Sequence, residues 1–338
     1  MNVKRYSLLL ALVITILSAG CGGDGSGNAG NGKDSTAAAP VPSVGFVQAI
    51  EDATIDEART GFYDALREAG YSEDSGTVKI IYRNAQGDAA ALNQILDYFL
   101  TEKVDLIAAN TTLAMITAAS KTSTIPIFMM VAPSPEIAKL TRADASGNQV
   151  APANLAGTYE TLAYIDTSIA LIRQVFPSAK RVGTIFNSSE PNSVNSMERL
   201  RERCKALGLE LVESSVTSSN ETQQVTQSLT SKGIDVFFAL PDNIIFSSFE
   251  TVLKETMDRK IPIVTSEAGL VKRGAFIAYG ADFYQWGHQA GVSAAKYLKS
   301  RDLKSTPLEL VAVRKRTYNP RTAATLGLQA PAGFEALQ

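Results

Sequence analysis

One pattern restricts the fold of this chain more than any other: an apolar run, a short polar loop and an amphipathic segment, laid down twice. Residues 181–186 (RVGTIF) stop at a cluster of small polar residues running from Asn187 to Ser193, and an amphipathic segment opens at Val194. That order reads as strand, loop, helix, with backbone N–H groups and short side chains facing whatever lies beyond the strand end. The first half holds the counterparts. Residues 182–185 (VGTI) answer 44–47 (VGFV), 234–237 (IDVF) answer 104–107 (VDLI), and 261–264 (IPIV) answer 125–128 (IPIF), at offsets of 138, 130 and 136 residues. Offsets so nearly constant indicate two lobes of one topology. Continuously apolar strands alternating with helical segments mean parallel sheets covered on both faces by helices. The fold class expected is therefore α/β, with two Rossmann-like lobes whose strand ends line one cleft, since ligands of such sheets sit beyond the carboxyl ends of the strands.

Taken in order, the chain predicts a first strand over 44–49 and a helix over 56–69 with Asp56 as its N-cap and Gly70 as its stop. A strand over 78–82 follows, then a helix capped by Asp88, a buried strand over 104–109, a helix near 113–120 and a strand over 125–131. The Pro-, Ala- and Asn-rich stretch 132–159 suits a loop crossing to the second lobe, where a helix over 161–175 leads into the repeat. After it come a strand over 275–279, a helix from Asp282 to about residue 298 and a last strand over 308–313. The boundaries expected are 44–156 plus 272–303 for lobe 1 and 157–271 plus 304–338 for lobe 2. About three crossovers would join them, a hinge that bends with few residues changing conformation.

At 338 residues the chain is long for one core and comfortable for two. Its net charge of -2 supplies no concentrated basic face, so no nucleic-acid partner is expected. Two cysteines and one histidine leave no disulfide framework and no Cys/His metal site, and no cofactor motif survives inspection. The N-terminus has an export layout: Lys4 and Arg5, an apolar stretch over 8–17, then Leu17, Ser18, Ala19 and Gly20 before Cys21. That ending resembles the lipobox of bacterial lipoproteins, implying a signal peptide over 1–21, lipidation of Cys21 and a membrane anchor outside the cytoplasm. Residues 22–43, rich in Gly, Ser, Asn, Ala and Pro, read as a flexible tether.

Several stretches carry a family likeness: IDEARTGFYDALREAGY over 55–71, AQGD over 85–88, VDLIAANTT over 104–112, KRVGTIFNSSEPNS over 180–193, PDN over 241–243 and NPRTAATLGL over 319–328. On these the chain resembles the bacterial ABC-transporter substrate-binding lipoproteins of the periplasmic binding protein type I fold, in the group of TrpX-like tryptophan-binding proteins. It departs at 131–136 (VAPSPE), where the group shows a V-T-D-P-like turn, and in a longer stretch over 141–158. The resemblance implies a small ligand such as an aromatic amino acid, a membrane permease as partner, a monomer, and binding without catalysis.

The loops supply matching chemistry. A carboxylate is stabilised by helix N-termini and hydroxyls, which Thr111, Thr112, Ser188, Asn192 and Ser193 offer, while an ammonium wants a carboxylate, which Asp242, Glu267 or Asp282 offers. Asn187, Glu190 and Asn243 are candidates to fix orientation, and Gln48 is a first-lobe candidate. Asp242, Ser193 and Asp282 also read as plain helix N-caps. Tyr159, Phe246 and Tyr279, near the cleft, suit a core role or stacking on an aromatic ligand, Trp286 reads as packing, and Cys204, in phase with Met197, Leu200 and Leu207, as a buried thiol. Two other functions fit the same fold or composition: a sensory receptor, and a hydrolase, against which stand one histidine and no strand-linked G-x-S-x-G.

Overall fold

The computed structural model of the chain describes residues 40–337. The expected signal peptide, Cys21 and all but the last residues of the tether lie outside the described residues.

Strands Ser43–Gln48 (β1), Lys79–Asn84 (β2), Leu106–Asn110 (β3) and Ile127–Met130 (β4) are followed by a small hairpin, Arg142–Ala143 (β5) with Gln149–Val150 (β6), and by Leu155–Tyr159 (β7). The second half supplies Arg181–Asn187 (β8), Glu210–Val216 (β9), Val236–Ala239 (β10), Ile263–Glu267 (β11) and Ile277–Ala281 (β12), and the C-terminal segment adds Leu308–Leu310 (β13), Arg314–Tyr318 (β14) and Glu335–Ala336 (β15). One sheet runs β13-β7-β4-β3-β1-β2, the other β15-β14-β12-β11-β10-β8-β9. Without the C-terminal additions both have one order, β2-β1-β3-β4-β7 and β9-β8-β10-β11-β12, and every pair in it is parallel. The duplication in the sequence is a duplication of topology.

Apolar strands follow from burial on both faces. In the first sheet Val44, Phe46, Leu106, Ala108, Phe128 and Met130 enter one apolar cluster, and Val47, Ile107, Ala109, Ile127 and Met129 enter the other. The period of two along each strand sorts side chains between two layers of helices. Cys204 is buried in the second-lobe core, as its spacing predicts.

Three expectations need correction. Helix Ala53–Glu68 is capped by Asp52, whose backbone is extended and whose side chain accepts from the N–H groups of Thr54 and Ile55, while Asp56 sits inside the first turn and accepts from Gln48. Residues 132–159 are no crossover: Leu155–Tyr159 pairs with β4 inside the first sheet, so 132–154 is an excursion of that lobe. The lobe boundaries shift as well. Ile277–Ala281, assigned to lobe 1 on sequence, pairs with β11 in the second sheet, and Leu308–Leu310, assigned to lobe 2, pairs with β7 in the first. Hydrogen-bonding partners, which the sequence pattern does not encode, decide this.

Among the described residues the chain therefore crosses between the sheets three times, at 160–163, at 282 and at 311–313. Helix Phe283–Ser300 returns to the first lobe against Ala53–Glu68 at very close range. A Cβ on Gly61 would lie 2.0 Å from the Tyr284 carbonyl oxygen, and one on Gly287 would lie 1.8 Å from that of Ala58. Only glycines allow these backbones to meet so closely. At the hinge, Glu160 of the first crossing and Arg314 at the end of the third form a two-point ion pair, Nη2 at 2.6 Å and Nε at 3.1 Å from Oε2.

Candidate functional site

The carboxyl ends of the two sheets face each other across a small cavity of about 30 Å³ open to water-sized groups. The first lobe contributes Thr112, Val131, Ala132, Pro133, Phe283 and Trp286; the second contributes Asn192, Pro241, Asn243, Phe246 and Glu267; Leu162 and Tyr164 come from the crossing and the helix it enters. Phe283 stands edge-on between Phe246 and Trp286, with ring centroids 5.8 and 5.7 Å away, so one aromatic wall spans both lobes. The Trp286 indole N–H donates to the Thr158 carbonyl at 2.9 Å, which fixes the ring. Thr111, which precedes the lining Thr112, and the lining residues Val131 and Leu162 have φ of 84°, 50° and 62°. For β-branched Thr and Val that conformation is costly, and such strain gathers at functional sites.

The polar side of the cavity belongs to the second lobe. Glu267, the last residue of β11, is fully buried, and its Oε1 accepts from Tyr164 Oη at 2.7 Å and Ser266 Oγ at 3.0 Å. Its Oε2 has no hydrogen-bond partner among the described residues. Burial pushes this carboxyl up to about 8, against the two hydroxyl donors that pull it down. Asn192 gives its amide N–H to the Pro241 carbonyl at 2.7 Å, which turns Oδ1 away, and Oδ1 too is unpartnered among the described residues. Asn243 Nδ2 is a third such atom. Buried polar groups rarely go unsatisfied, and here three of them line one small space.

Behind these atoms lies a bracket. Asp242 caps the short helix Asn243–Ser247 by accepting from Ile244 and Ile245, and its other oxygen accepts from the Asn187 N–H at 2.6 Å and Ser193 Oγ at 2.5 Å. Glu190 accepts from the Asn187 and Asn192 side chains and from the Asn243 N–H. Burial, then the charge of Asp242, raises the Glu190 carboxyl to about 7. The NSSEPNS and PDN motifs thus hold each other, and their outward residues hold the cavity wall.

Of the residues singled out on sequence, Thr112, Asn192, Asn243 and Glu267 line the cavity, and Asn187 and Glu190 line, with Asn243, a wider opening beside it. The others do not join them. Asp242 and Ser193 are consumed by the bracket, and Thr111 is buried behind Thr112 with its hydroxyl unpartnered among the described residues. Ser188 is exposed on the loop. Gln48 ties Ile50, Asp56 and Asn110 together, a structural knot inside the first lobe. Asp282 caps Gln285 and pairs with Lys315 at 2.5 Å, facing an outer groove. The side chain that opposes the cleft is thus often one residue beyond the cap, because a cap turns its oxygen back onto its own helix. Phe283 and Tyr164 were missed and Trp286 was read as packing, while the 131–133 turn, where the sequence departs from the family pattern, does line the cavity. The helix starting at Asp282 pointed to Phe283 and Trp286, but aromatic residues there look like ordinary core.

The lobes also touch directly. Arg273 of the second lobe reaches Asp52 of the first at 2.5 Å, while holding the Phe246 carbonyl and Glu250. Lys272 pairs with Glu57 at 2.6 Å. A Cβ on Gly269 would come 2.1 Å from Thr54 Cγ2 across the same seam.

Two lobes of one topology, a three-stranded hinge and a partly apolar cavity between strand ends describe a solute trap, and residues 43–335 match the family described as ABC transporter substrate binding protein. The chain belongs to that family. Its fold is the periplasmic binding protein type I fold. A "Tyrosine-binding protein" of Clostridioides difficile (strain R20291) is 32% identical over 96% of this chain and 93% of its own length. Among solved structures, an ABC domain in complex with L-Trp from Streptococcus pneumonia is 25% identical over 87% of this chain and 99% of that one, with a TM-score of 0.77. The ligand-free, open structure of CD0873 from Clostridium difficile, a substrate binding protein with adhesive properties, is 30% identical over 88% of this chain and 99% of that one, with a TM-score of 0.64. This substrate-binding protein accordingly captures a small molecule for an ABC transporter, outside the cytoplasm.

Proposed function

We propose that this substrate-binding protein captures an amino acid with an aromatic side chain between its lobes and presents the closed form to a membrane permease, without turning the ligand over. The observation that carries the reading is the pairing of one aromatic wall, Phe246, Phe283 and Trp286, with three unpartnered buried polar atoms on Glu267, Asn192 and Asn243 in the same cavity. An aromatic ring is stabilised by edge-to-face contact and burial, and a charged head group needs such polar atoms. The tyrosine and L-Trp named for two relatives support the class of ligand. The higher TM-score to the L-Trp complex than to the open structure, despite lower identity, supports a closed arrangement of the lobes here. Capture without catalysis accords with the position of the one histidine, which pairs with Glu68 and does not line the cavity. Lipid attachment through Cys21 and action as a monomer complete the proposal.

The chain has a single tryptophan, and it lines the cavity, so its emission reports binding directly. Titration with non-fluorescing amino acids, followed by calorimetry with L-tyrosine and L-tryptophan, is expected to give saturable binding and a raised melting temperature. If no amino acid shifts either signal while another solute class does, the reading fails.

A further inference from the structure

Among the described residues, the buried polar atoms without a hydrogen-bond partner on side chains lining the cavity belong to Asn192, Asn243 and Glu267 of the second lobe, and of these only Glu267 is ionisable. Its surroundings prepare a single oxygen. Tyr164 Oη and Ser266 Oγ both donate to Oε1, which orients the carboxyl group and leaves Oε2 without a partner among the described residues on a side chain that lines the cavity. The register of β11 against β12 shifts between Thr265 and Glu267. An irregularity of that kind re-aims the side chain that follows it.

Among the described residues, no Lys or Arg lines the cavity. Arg314 passes over the Tyr164 ring at 5.8 Å, but its guanidinium is committed to Glu160. Without a countercharge this buried carboxyl keeps its proton up to about pH 8, so the positive partner that ionises it arrives with the ligand. Asn192 Oδ1 adds a second acceptor to the same space, and its identity as oxygen is fixed because a carbonyl, Pro241, takes the amide N–H. Two acceptors, one of them anionic once a positive charge lies beside it, fit a primary ammonium, which has three N–H donors and no acceptor.

We propose that Glu267, with Asn192, is the seat of the ligand's amino group and hence the residue that selects amino acids over their deaminated analogues. The inference rests on the amino-acid reading above and adds which group of the ligand is read, and by what. Tyr164 is a positioning residue in this scheme, since it touches the carboxyl group and sets which oxygen faces the cavity.

The test uses the chain with two pairs of probes: L-tyrosine against 3-(4-hydroxyphenyl)propionate, and L-tryptophan against indole-3-propionate, titrated by calorimetry into the wild type and Glu267→Gln. The wild type is expected to favour the amino acid over its own deaminated analogue by about 100-fold, the loss typical when one partner of a buried charge pair is removed. Glu267→Gln is expected to erase that preference by weakening the amino acid about 100-fold while the analogue changes by less than about threefold. A variant that keeps the wild-type preference overturns the inference and leaves the amino-acid reading standing. Failure of the wild type to bind any amino acid overturns both. If Glu267→Gln does not fold, the wild-type comparison still decides: equal affinity for an amino acid and its deaminated analogue sinks the proposal.

Discussion

Arg273→Ala should weaken ligand binding although Arg273 is not among the residues lining the cavity. The Asp52 carboxylate is almost wholly buried, with Oδ1 committed to the N–H groups of Thr54 and Ile55 and Oδ2 to Arg273. Burial raises its pKa and Arg273 lowers it, so this guanidinium is what makes the ionised form tolerable. Removing one partner of a buried ion pair costs about 3–5 kcal/mol. The Arg273 side chain retains 14% exposure, and water returns to Asp52 when the lobes part. The cost therefore falls on the closed state, and we expect about 2–3 kcal/mol of it to appear there. Because apparent affinity scales with the closed fraction, that corresponds to a Kd raised about 30- to 150-fold. Calorimetry gives the affinity, and small-angle scattering with and without saturating ligand gives the radius of gyration. The variant should be more expanded without ligand and contract when saturated. An unchanged Kd together with an unchanged radius would refute the idea that this pair governs closure.

Other perturbations bear on the same architecture. Gly269→Leu places a branched side chain where even a Cβ would meet Thr54 at 2.1 Å, so it should prop the lobes apart and cut affinity at least about tenfold with little loss of melting temperature. Asp242→Ala removes a helix cap and orphans the Asn187 N–H and the Ser193 hydroxyl, for about 3–5 kcal/mol in urea unfolding. A loss below about 1 kcal/mol would show the bracket to be incidental. The pH dependence has a definite sign. Glu267 and Glu190 are raised from 4.5 to about 8 and about 7, so the folded chain keeps protons that the unfolded chain releases above about pH 4.5. The stability they contribute is fully present below that pH and is lost as pH rises through 7 to 8. Melting temperature without ligand should fall over that window, and Glu267→Gln should flatten the fall; a parallel decline in both proteins would exclude Glu267 as its source.

How far the sequence reached can be judged from particular residues. The repeated strand, loop and helix pattern led to the shared sheet order, and the cleft followed from strand ends meeting strand ends. The motif residues Asn187, Glu190, Asn192 and Asn243 stand at or beside the cavity because loops after parallel strands point there. Asp242 was harder. A cap and a ligand-binding carboxylate have the same sequence signature, and only its four donors reveal which it is. Trp286 was hidden for the opposite reason, since an aromatic residue on an amphipathic helix looks the same whether it faces core or cavity.

The order of residues alone thus determined two parallel-sheet lobes and the rim on which a ligand would be met, because apolar periodicity and turn chemistry are local and survive in one dimension. Which sheet received Ile277–Ala281 and Leu308–Leu310, which oxygen of Glu267 was left without a partner among the described residues, and that Arg273 closed on Asp52 were decided by the tertiary structure. The sheet pairings and the setting of Glu267 form only when a lobe has folded, and the Arg273–Asp52 pair only once the two lobes have been brought together.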